Sequence, residues 1–130
     1  MVAETIPPFR EFFEEHAGEY LRSIVWYGHN DYEVLFLRDD VAAQYDDQEL
    51  YEAIDLNRLD SLTSPVYEDA FADDHGKMRC LLQCFENAID MNFILDDGIG
   101  VIVTLNAAAM AESHGLITKA HDLLDAEHER

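Results

Sequence analysis

The sequence has few lysines, few cysteines and no long hydrophobic run. Two lysines and six arginines stand against 28 acidic residues, so the formal net charge is −20 at pH 7. Proteins bind nucleic acids and anionic membranes largely through lysine and arginine side chains that pair with phosphates. Because basic residues are scarce, we expect that the protein binds neither nucleic acid nor a membrane.

We expect no segment of this sequence to direct it into or across a membrane. No apolar stretch approaches the roughly 20 residues of a spanning helix, and the first ten residues have no secretion-signal pattern. Cys80 and Cys84 have a C-x3-C spacing, which differs from the C-x2-C of zinc ribbons and thioredoxin-like motifs. In a strand the two would share one face about 13 Å apart, too far for a mutual disulfide. We interpret both as small buried side chains of a cytoplasmic protein.

The acidic residues are spread along the chain in pairs and do not form a tail. Hydrophobic residues still make up 48% of the sequence, as in a folded protein. A lysine-poor anionic surface is typical of proteins from salt-accumulating cells, since multimolar KCl shortens the Debye length to about 3 Å and screens self-repulsion. We therefore predict a halophilic protein with a single domain over residues 1–130. An acidic mesophilic protein is the alternative.

The first part of the chain has the pattern of one helix followed by two strands. Aromatic residues recur at helical spacing over residues 8–21, with Pro7 and Pro8 suited to the first turn. Residues 22–27 and 32–37 are rich in β-branched and aromatic residues. The Gly-His-Asn-Asp sequence between them is a turn signal, so the two strands are expected to form a hairpin.

The middle of the chain predicts a second helix. Asp46 and Glu49 are spaced as in a capping box, and leucines and alanines continue the pattern until residues 61–65 stop it. Residues 61–77 fit either a short helix or an ordered loop, and the sequence does not choose between them.

Three strands and a last helix complete the pattern. Residues 78–86 are apolar on both faces, as in a buried strand. Residues 89–95 and 99–105 alternate around an Asp-Asp-Gly turn signal. A helix is expected over residues 107–127, with Asn106 as its N-cap and an apolar face that packs on the sheet.

These elements indicate an α+β domain with a five-stranded antiparallel sheet and flanking helices, in the order α-β-β-α-β-β-β-α. This order resembles the roadblock and profilin-like domains over residues 8–127, and a PAS- or GAF-like domain is the alternative. The segments CFENAI at residues 84–89 and FLRDDV at residues 36–41 are similar to small acidic haloarchaeal families of unknown function. No activity is implied by that similarity.

The resemblance to roadblock-like domains implies a non-enzymatic interaction or regulatory module that acts as a homodimer or binds another protein. Such domains pair through the central helix and the third strand. The matching interface positions in this sequence are Leu50, Ile54, Leu59, Met78, Cys80, Leu82 and Cys84.

The resemblance to sensor domains implies instead a small-molecule pocket between the sheet and its helices. Trp26, Phe36, Phe85 and Phe93 are the aromatic residues that would line it. The other interpretation of the same residues is a solidly filled core.

Motifs for catalysis, phosphate binding or metal binding are missing from the sequence. Gly98 and Gly100 form a lone G-x-G between two strands, which is not a dinucleotide fingerprint. His114 and His121 would lie about 10 Å apart on one helix, too far to share an ion without other ligands. His16 lies within the aromatic face of the first helix and reads as a core or interface residue, with a proton switch as the alternative. We expect that the protein is not an enzyme and that it has neither a cofactor nor a metal site.

Overall fold

The computed structural model describes residues 2–71 and 74–128, which form an open sheet with helices on both faces. The helices are α1 (Val2–Ala17), α2 (Asp39–Ala42), α3 (Asp47–Ser61), α4 (Ser64–Phe71) and α5 (Ala111–His128), with 3₁₀ turns at Gly18–Tyr20 and Ala107–Met110. The strands are β1 (Leu21–Tyr27), β2 (Tyr32–Leu37), β3 (Cys80–Cys84), β4 (Ala88–Asp96) and β5 (Ile99–Asn106).

The sheet has the order β2-β1-β5-β4-β3, and every neighbouring pair is antiparallel. Strands β1 and β5 lie at the centre and pair with each other although they are distant in sequence. The predicted fold class, an α+β domain with a five-stranded antiparallel sheet, is confirmed.

One face of the sheet is covered by α1. Because side chains alternate along a strand, Ile24 of β1 points to this face and its neighbour Val25 to the other. Phe13 and Ala17 of α1 pack here against the central strands. The buried core on this side comprises Phe13, Ala17, Leu21, Ile24, Val101, Val103 and Leu105.

The opposite face is covered by α3. Ile54 packs there against Val25, Tyr27 and Ile102. Arg58, one turn further along α3, fastens the helix to the β1–β2 turn. Its Nε donates to the carbonyl oxygen of Gly28 at 2.6 Å, and its Nη2 donates to the carbonyl oxygen at residue 31 at 3.1 Å.

A buried hydrogen-bond network joins α3 to β1 and β4. The hydroxyl of Tyr27, which is fully buried, donates to Oδ1 of Asn92 at 2.6 Å, and Nδ2 of Asn92 donates to the carbonyl oxygen of Asn57 at 2.9 Å. Burial raises the pKa of Tyr27. A Cβ atom at Gly100 would lie 2.5 Å from the Tyr27 hydroxyl, so only glycine leaves room for the network.

The first helix differs from its prediction at both ends. It begins at Val2 and ends at Ala17, so Pro7 and Pro8 lie inside it rather than at its first turn. Gly18 follows with φ of 54°, the left-handed conformation that commonly ends a helix. Leu21, expected in the helix, belongs to β1 and pairs with Leu105.

The central helix and its surroundings agree better with the sequence. The capping box is confirmed: the Glu49 amide donates to Asp46 Oδ1 at 2.8 Å, and the Asp46 amide donates to Glu49 Oε1 at 3.2 Å. In the uncertain stretch the structure contains α4, so part of residues 61–77 is helical. Residues 72 and 73 of that stretch lie outside the described part.

A strand within residues 78–86 is confirmed, but the prediction that it is buried and spans this whole segment is wrong. Strand β3 spans only Cys80–Cys84 and lies at the edge of the sheet, where it pairs with β4 and leaves Leu82 and Cys84 exposed. Strand order is set by tertiary pairing, so apolar residues on both faces did not reveal an edge position. The hairpin between β4 and β5 is confirmed, with Gly98 at φ of 76° in its turn.

The last helix starts later than predicted, and Asn106 does not cap it. Ala107–Met110 forms a 3₁₀ turn, and α5 begins at Ala111. Oδ1 of Asn106 instead accepts hydrogen bonds from Arg22 Nη1 at 3.2 Å and Arg38 Nη2 at 3.4 Å. The described helices include none with both the length and the apolar composition to cross a bilayer.

Candidate functional site

A cavity of about 240 Å³ lies between α3 and the face of the sheet that α3 covers. Strands β1, β4 and β5 form its floor, and the α2–α3 and β3–β4 connections contribute Tyr45 and Phe85. Most of its walls are aliphatic. Its polar lining consists of Arg22, Ser23, Asn57, Asp90 and Thr104.

The strand register places three of these polar side chains in a row. Ser23 of β1 is opposite Thr104 of β5, and Thr104 is opposite Asp90 of β4. Burial raises the pKa of Asp90, while the Thr104 hydrogen bond and the positive charge of Arg22 act in the opposite direction. The floor therefore holds a carboxyl group and a guanidinium group that influence each other.

Asn57 lines the cavity and has a buried acceptor without a partner among the described residues. The residue is 9% exposed, and its Nδ2 donates to the carbonyl oxygen of Ala53 at 2.9 Å. That bond fixes which way the amide points, because only the NH₂ end can donate. Its Oδ1 is buried and has no hydrogen-bond partner among the described residues.

Arg22 also lines the cavity and has a buried donor without a partner among the described residues. Its Nη1 donates to Oδ1 of Asn106 at 3.2 Å. Its Nε is buried and, within the described part of the chain, has no partner. Nearly all buried polar groups in folded proteins are hydrogen-bonded, so these two atoms are exceptions that neighbouring atoms close off from the cavity.

The aromatic residues predicted to line a pocket are not brought together. Trp26, Phe36 and Phe93 lie on the α1 face, packed against the core there. Phe93 is in edge contact with Phe9, with ring centroids 5.7 Å apart. Only Phe85 of the predicted set lines the cavity on the opposite face.

The predicted interface residues are divided between the two faces and between core and surface. Ile54 is 2% exposed and Leu50 packs beside it, so Ile54 has almost no surface left for a partner. Leu59 and Leu82 are exposed. Met78 is half-buried.

The two cysteines are free thiols with different surroundings. Cys80 is half-buried, and burial raises its pKa. Cys84 is exposed, so the prediction that both are buried is wrong for this residue. Its place at the end of an edge strand explains the difference.

Exposed apolar side chains gather along α5. The helix has 18 residues, and its described side chains are all exposed except that of the half-buried His114. Leu116 and Leu123 are 72% and 65% exposed. We call the apolar face of this helix the α5 strip: Leu116, Ile117, Ala120, Leu123 and Leu124. The predicted apolar face of this helix also included Met110, which does pack against the core on the α1 side. The prediction that the face packs on the sheet is wrong for Ile117, Ala120, Leu123 and Leu124.

Further exposed apolar residues follow one another along the two middle helices. Leu56, Leu59 and Leu62 are on or just after α3, and Val66, Tyr67 and Phe71 are on α4. They lie on the outer side of these helices, whereas Ile54 faces the sheet.

The described histidines do not come together in a metal-binding or catalytic site. His16 is exposed and stacks on Phe12 with ring centroids 4.2 Å apart, so it is not a core residue. His121 Nδ1 lies 3.1 Å from Asp125 at the surface of α5. In the residues that the structure describes, no three histidine, cysteine, aspartate or glutamate side chains cluster as a metal ion requires.

Sequence reasoning missed the polar lining of the cavity, although a signal was present. Ile54, Asn57, Arg58 and Ser61 recur at the spacing of one helical face, so three polar residues share a face with a core isoleucine. Asp90 lies between two apolar residues of a central strand. Polar residues at inward positions of both a helix and a strand mark the surface where the two elements meet.

The fold and the cavity define an α+β open-sheet domain with a small mixed polar and apolar site under its central helix. The chain belongs to the family described as a domain of unknown function, DUF7522, whose model matches residues 8–125. Neither the curated proteins nor the solved structures gave a match to this chain.

Proposed function

We propose that this chain is a non-enzymatic protein–protein interaction or regulatory module that acts as a homodimer. The observation that carries the proposal is the α5 strip. An 18-residue helix is only marginally stable alone in water, and helices in proteins are stabilised mainly by packing an apolar face. Among the residues that the structure describes, the α5 strip remains largely uncovered, so a partner would supply this packing.

The arrangement of the strip favours a second copy of the same helix. Leu116 and Leu123 are seven residues apart, and so are Ile117 and Leu124. This is the repeat with which two helices interlock their side chains in coiled coils. A strip that fits itself also matches the twofold symmetry of most homodimers, in which the same patch of each copy forms the interface.

The charge of the chain sets the conditions for this association. Two copies that each carry −20 repel one another in dilute buffer. Concentrated salt screens that repulsion while the apolar contact remains favourable. A halophilic, cytoplasmic protein is therefore part of the same proposal.

The predicted pairing through the central helix and third strand remains a second candidate interface. Leu59 and Leu82 are exposed and available for it. The substitution Ile54→Asp cannot test this second interface. Ile54 is a core residue, so an aspartate there would unfold the chain rather than separate two copies. The resemblance to roadblock-like domains remains a prediction.

Mass measurement by light scattering in concentrated KCl tests the α5 interface. We expect the unaltered protein to have twice the mass of one chain, and the double variant Leu116→Glu/Leu123→Glu to have the mass of one. Both leucines are exposed, so the change should leave the fold of the monomer intact.

The matched control carries the same added charge on another side of α5. Thr118→Glu/Ala126→Glu also adds two glutamates at exposed positions outside the α5 strip, and it should remain dimeric. A third variant, Leu59→Glu/Leu82→Glu, should also remain dimeric. A monomeric unaltered protein, or loss of the dimer only in the third variant, would overturn pairing through α5.

A further inference from the structure

Asp90, in the floor of the cavity under α3, is a half-buried residue whose carboxyl group has no cationic partner. It belongs to β4 and lines the cavity. Among the residues that the structure describes, it takes part in no ion pair. We propose that the cavity binds a small primary amine in its ammonium form, whose charge pairs with Asp90 and whose apolar body lies against the aliphatic walls. This site goes beyond the proposed function, and it lies on the opposite face from the pocket that the aromatic residues predicted.

Asp90 keeps exposed surface, and the cavity gives access to it. Its strand has a neighbouring strand on each side, as do β1 and β5. Ser23, Thr104 and Asp90 are nevertheless half-buried rather than buried, and all three line the cavity. A molecule in the cavity can therefore contact them. The unpaired atoms of Asn57 and Arg22 play no part in the proposal, because neighbouring atoms enclose them.

These three polar side chains lie next to one another across the floor. Ser23 is opposite Thr104, and Thr104 is opposite Asp90. Residues directly opposite each other in antiparallel strands have Cβ atoms about 5 Å apart. Because an ammonium group carries three donors, one that pairs with Asp90 is also near enough to donate to the hydroxyl oxygen of Thr104.

The surroundings of Asp90 favour a cation over a neutral molecule or an anion. Burial raises the pKa of Asp90, which means that the loss of water around its carboxylate is not fully compensated. A bound ammonium group would supply the missing positive charge and donors. The net charge of −20 also attracts cations and repels anions.

Arg22 is the feature of the lining that opposes a cation, since its positive charge also acts on Asp90. The two side chains do not form an ion pair with each other. Nη1 of Arg22 instead donates to Oδ1 of Asn106, at the end of β5. The carboxylate of Asp90 therefore keeps acceptor positions that Arg22 does not fill.

The volume and the walls set the body of the molecule. About 240 Å³ is below the 300–1,000 Å³ typical of pockets for drug-sized ligands, so a single ring suits it better than a fused or extended one. Val25, Ile54 and Ile102 supply apolar walls. Tyr45 and Phe85 are partly exposed members of the lining, and aromatic side chains bind both apolar rings and organic cations.

A nuclear magnetic resonance titration with three probes of similar shape tests the proposal. At neutral pH benzylamine is a cation, benzyl alcohol is neutral and benzoate is an anion. Concentrated KCl in the buffer screens the attraction of a cation to exposed carboxylates. We expect benzylamine to cause saturable shifts at backbone amides of lining residues, such as Ala88 and Ile102. Benzyl alcohol should bind about tenfold more weakly, and benzoate more weakly still.

Two variants that remove the same charge tie the binding to Asp90. Asp90→Asn keeps the size of the side chain and should weaken benzylamine binding about tenfold or more, as expected for the loss of a hydrogen bond to a charged group. Its affinity for benzyl alcohol should change little, which shows that the cavity is intact. Glu33→Gln, at an exposed position of β2, is the matched control and should leave benzylamine binding unchanged.

Three outcomes would overturn the proposal. The first is the absence of saturable shifts at the cavity with benzylamine. The second is binding of benzyl alcohol or benzoate as tight as that of benzylamine. The third is a benzylamine affinity that is unchanged in Asp90→Asn, or that falls equally in Asp90→Asn and Glu33→Gln, because the acidic surface as a whole would then attract the probe. None of these outcomes depends on whether the protein is a dimer.

Discussion

At the scale of single residues, the scarce arginines connect separate parts of the chain. Arg10, Arg38 and Arg58 each donate to a backbone carbonyl of another element, at 2.7, 2.6 and 2.6 Å. The planar guanidinium group offers several donors at fixed angles, so one side chain holds two segments in register. A lysine ammonium group lacks this geometry. The arginines of this lysine-poor chain therefore join elements of the fold in addition to carrying positive charge.

Arg38 shows how such a residue also shapes its neighbours. Its Nε lies 2.5 Å from Oδ1 of Asp40, and Nη2 donates to the other carboxylate oxygen at 3.0 Å. The hydrogen bond from the Arg38 guanidinium lowers the pKa of Asp40. Asp40 lies in the first turn of α2, and its contact with Arg38 was not predicted from the sequence.

Asp90 gives a residue-scale prediction about pH. Burial raises its pKa above the ordinary value of 3.8, so the folded state holds the proton more tightly than the unfolded state. Both states are protonated well below this value, and the folded state loses stability as pH rises through the raised pKa. Asp90→Asn removes this loss. We expect the variant to gain stability relative to the unaltered protein between about pH 4 and about pH 7.

Denaturant unfolding in concentrated KCl at the two pH values measures the change. Glu33→Gln is the matched control, since Glu33 is an exposed strand carboxylate and its replacement removes the same charge. Its stability relative to the unaltered protein should change little between the two pH values. If the stability of Asp90→Asn relative to the unaltered protein instead fell as pH rises, burial would not be the dominant influence on the pKa of this carboxyl group.

At the scale of elements, the sequence correctly predicted those features that depend on residues close together in the chain. The β1–β2 hairpin, the β4–β5 hairpin and the start of α3 follow from turn and cap residues that act within a few positions. The edge position of β3, the extent of α1 and the exposure of α5 depend on which distant surfaces meet. The register that lines up Ser23, Thr104 and Asp90 is likewise a tertiary property, as are the unpaired atoms of Asn57 and Arg22.

The capping box of α3 gives an element-scale prediction. Asp46→Ala removes the side chain that accepts from the Glu49 amide. We expect it to lower the free energy of unfolding by about 1 kcal/mol, the usual contribution of an N-cap. Thermal or denaturant unfolding monitored by circular dichroism measures this.

Asp46→Ser serves as the control for that experiment, because serine keeps an N-cap acceptor and loses only the charge. It should retain most of the stability that alanine loses. Equal losses in both variants would show that the negative charge near the start of α3, and not the hydrogen bond, is the stabilising feature.

At the scale of the whole molecule, the acidic surface dominates the expected behaviour. The structure places its acidic pairs at exposed positions such as Asp39 and Asp40, Asp46 and Asp47, and Asp96 and Asp97. Repulsion among such groups opposes the compact state, and its strength depends on ionic strength. This holds whether or not the chain is a dimer.

Removal of salt is therefore expected to unfold the protein. As KCl is dialysed away, the thermal transition should move to lower temperature and then disappear, as measured by circular dichroism. NaCl at the same ionic strength should substitute for KCl, whereas sucrose should not, because only an electrolyte screens charge. A cooperative transition that is independent of salt would contradict the halophilic interpretation.

Asn57 takes part in two different sets of contacts. Its carbonyl oxygen accepts from Asn92 and so helps to hold α3 on the sheet, while the residue also lines the cavity. A substitution of the Asn57 side chain would therefore leave in place the backbone contact that holds α3 on the sheet. The outer side of α3 carries exposed leucines, so this helix is fixed on one side and open on the other.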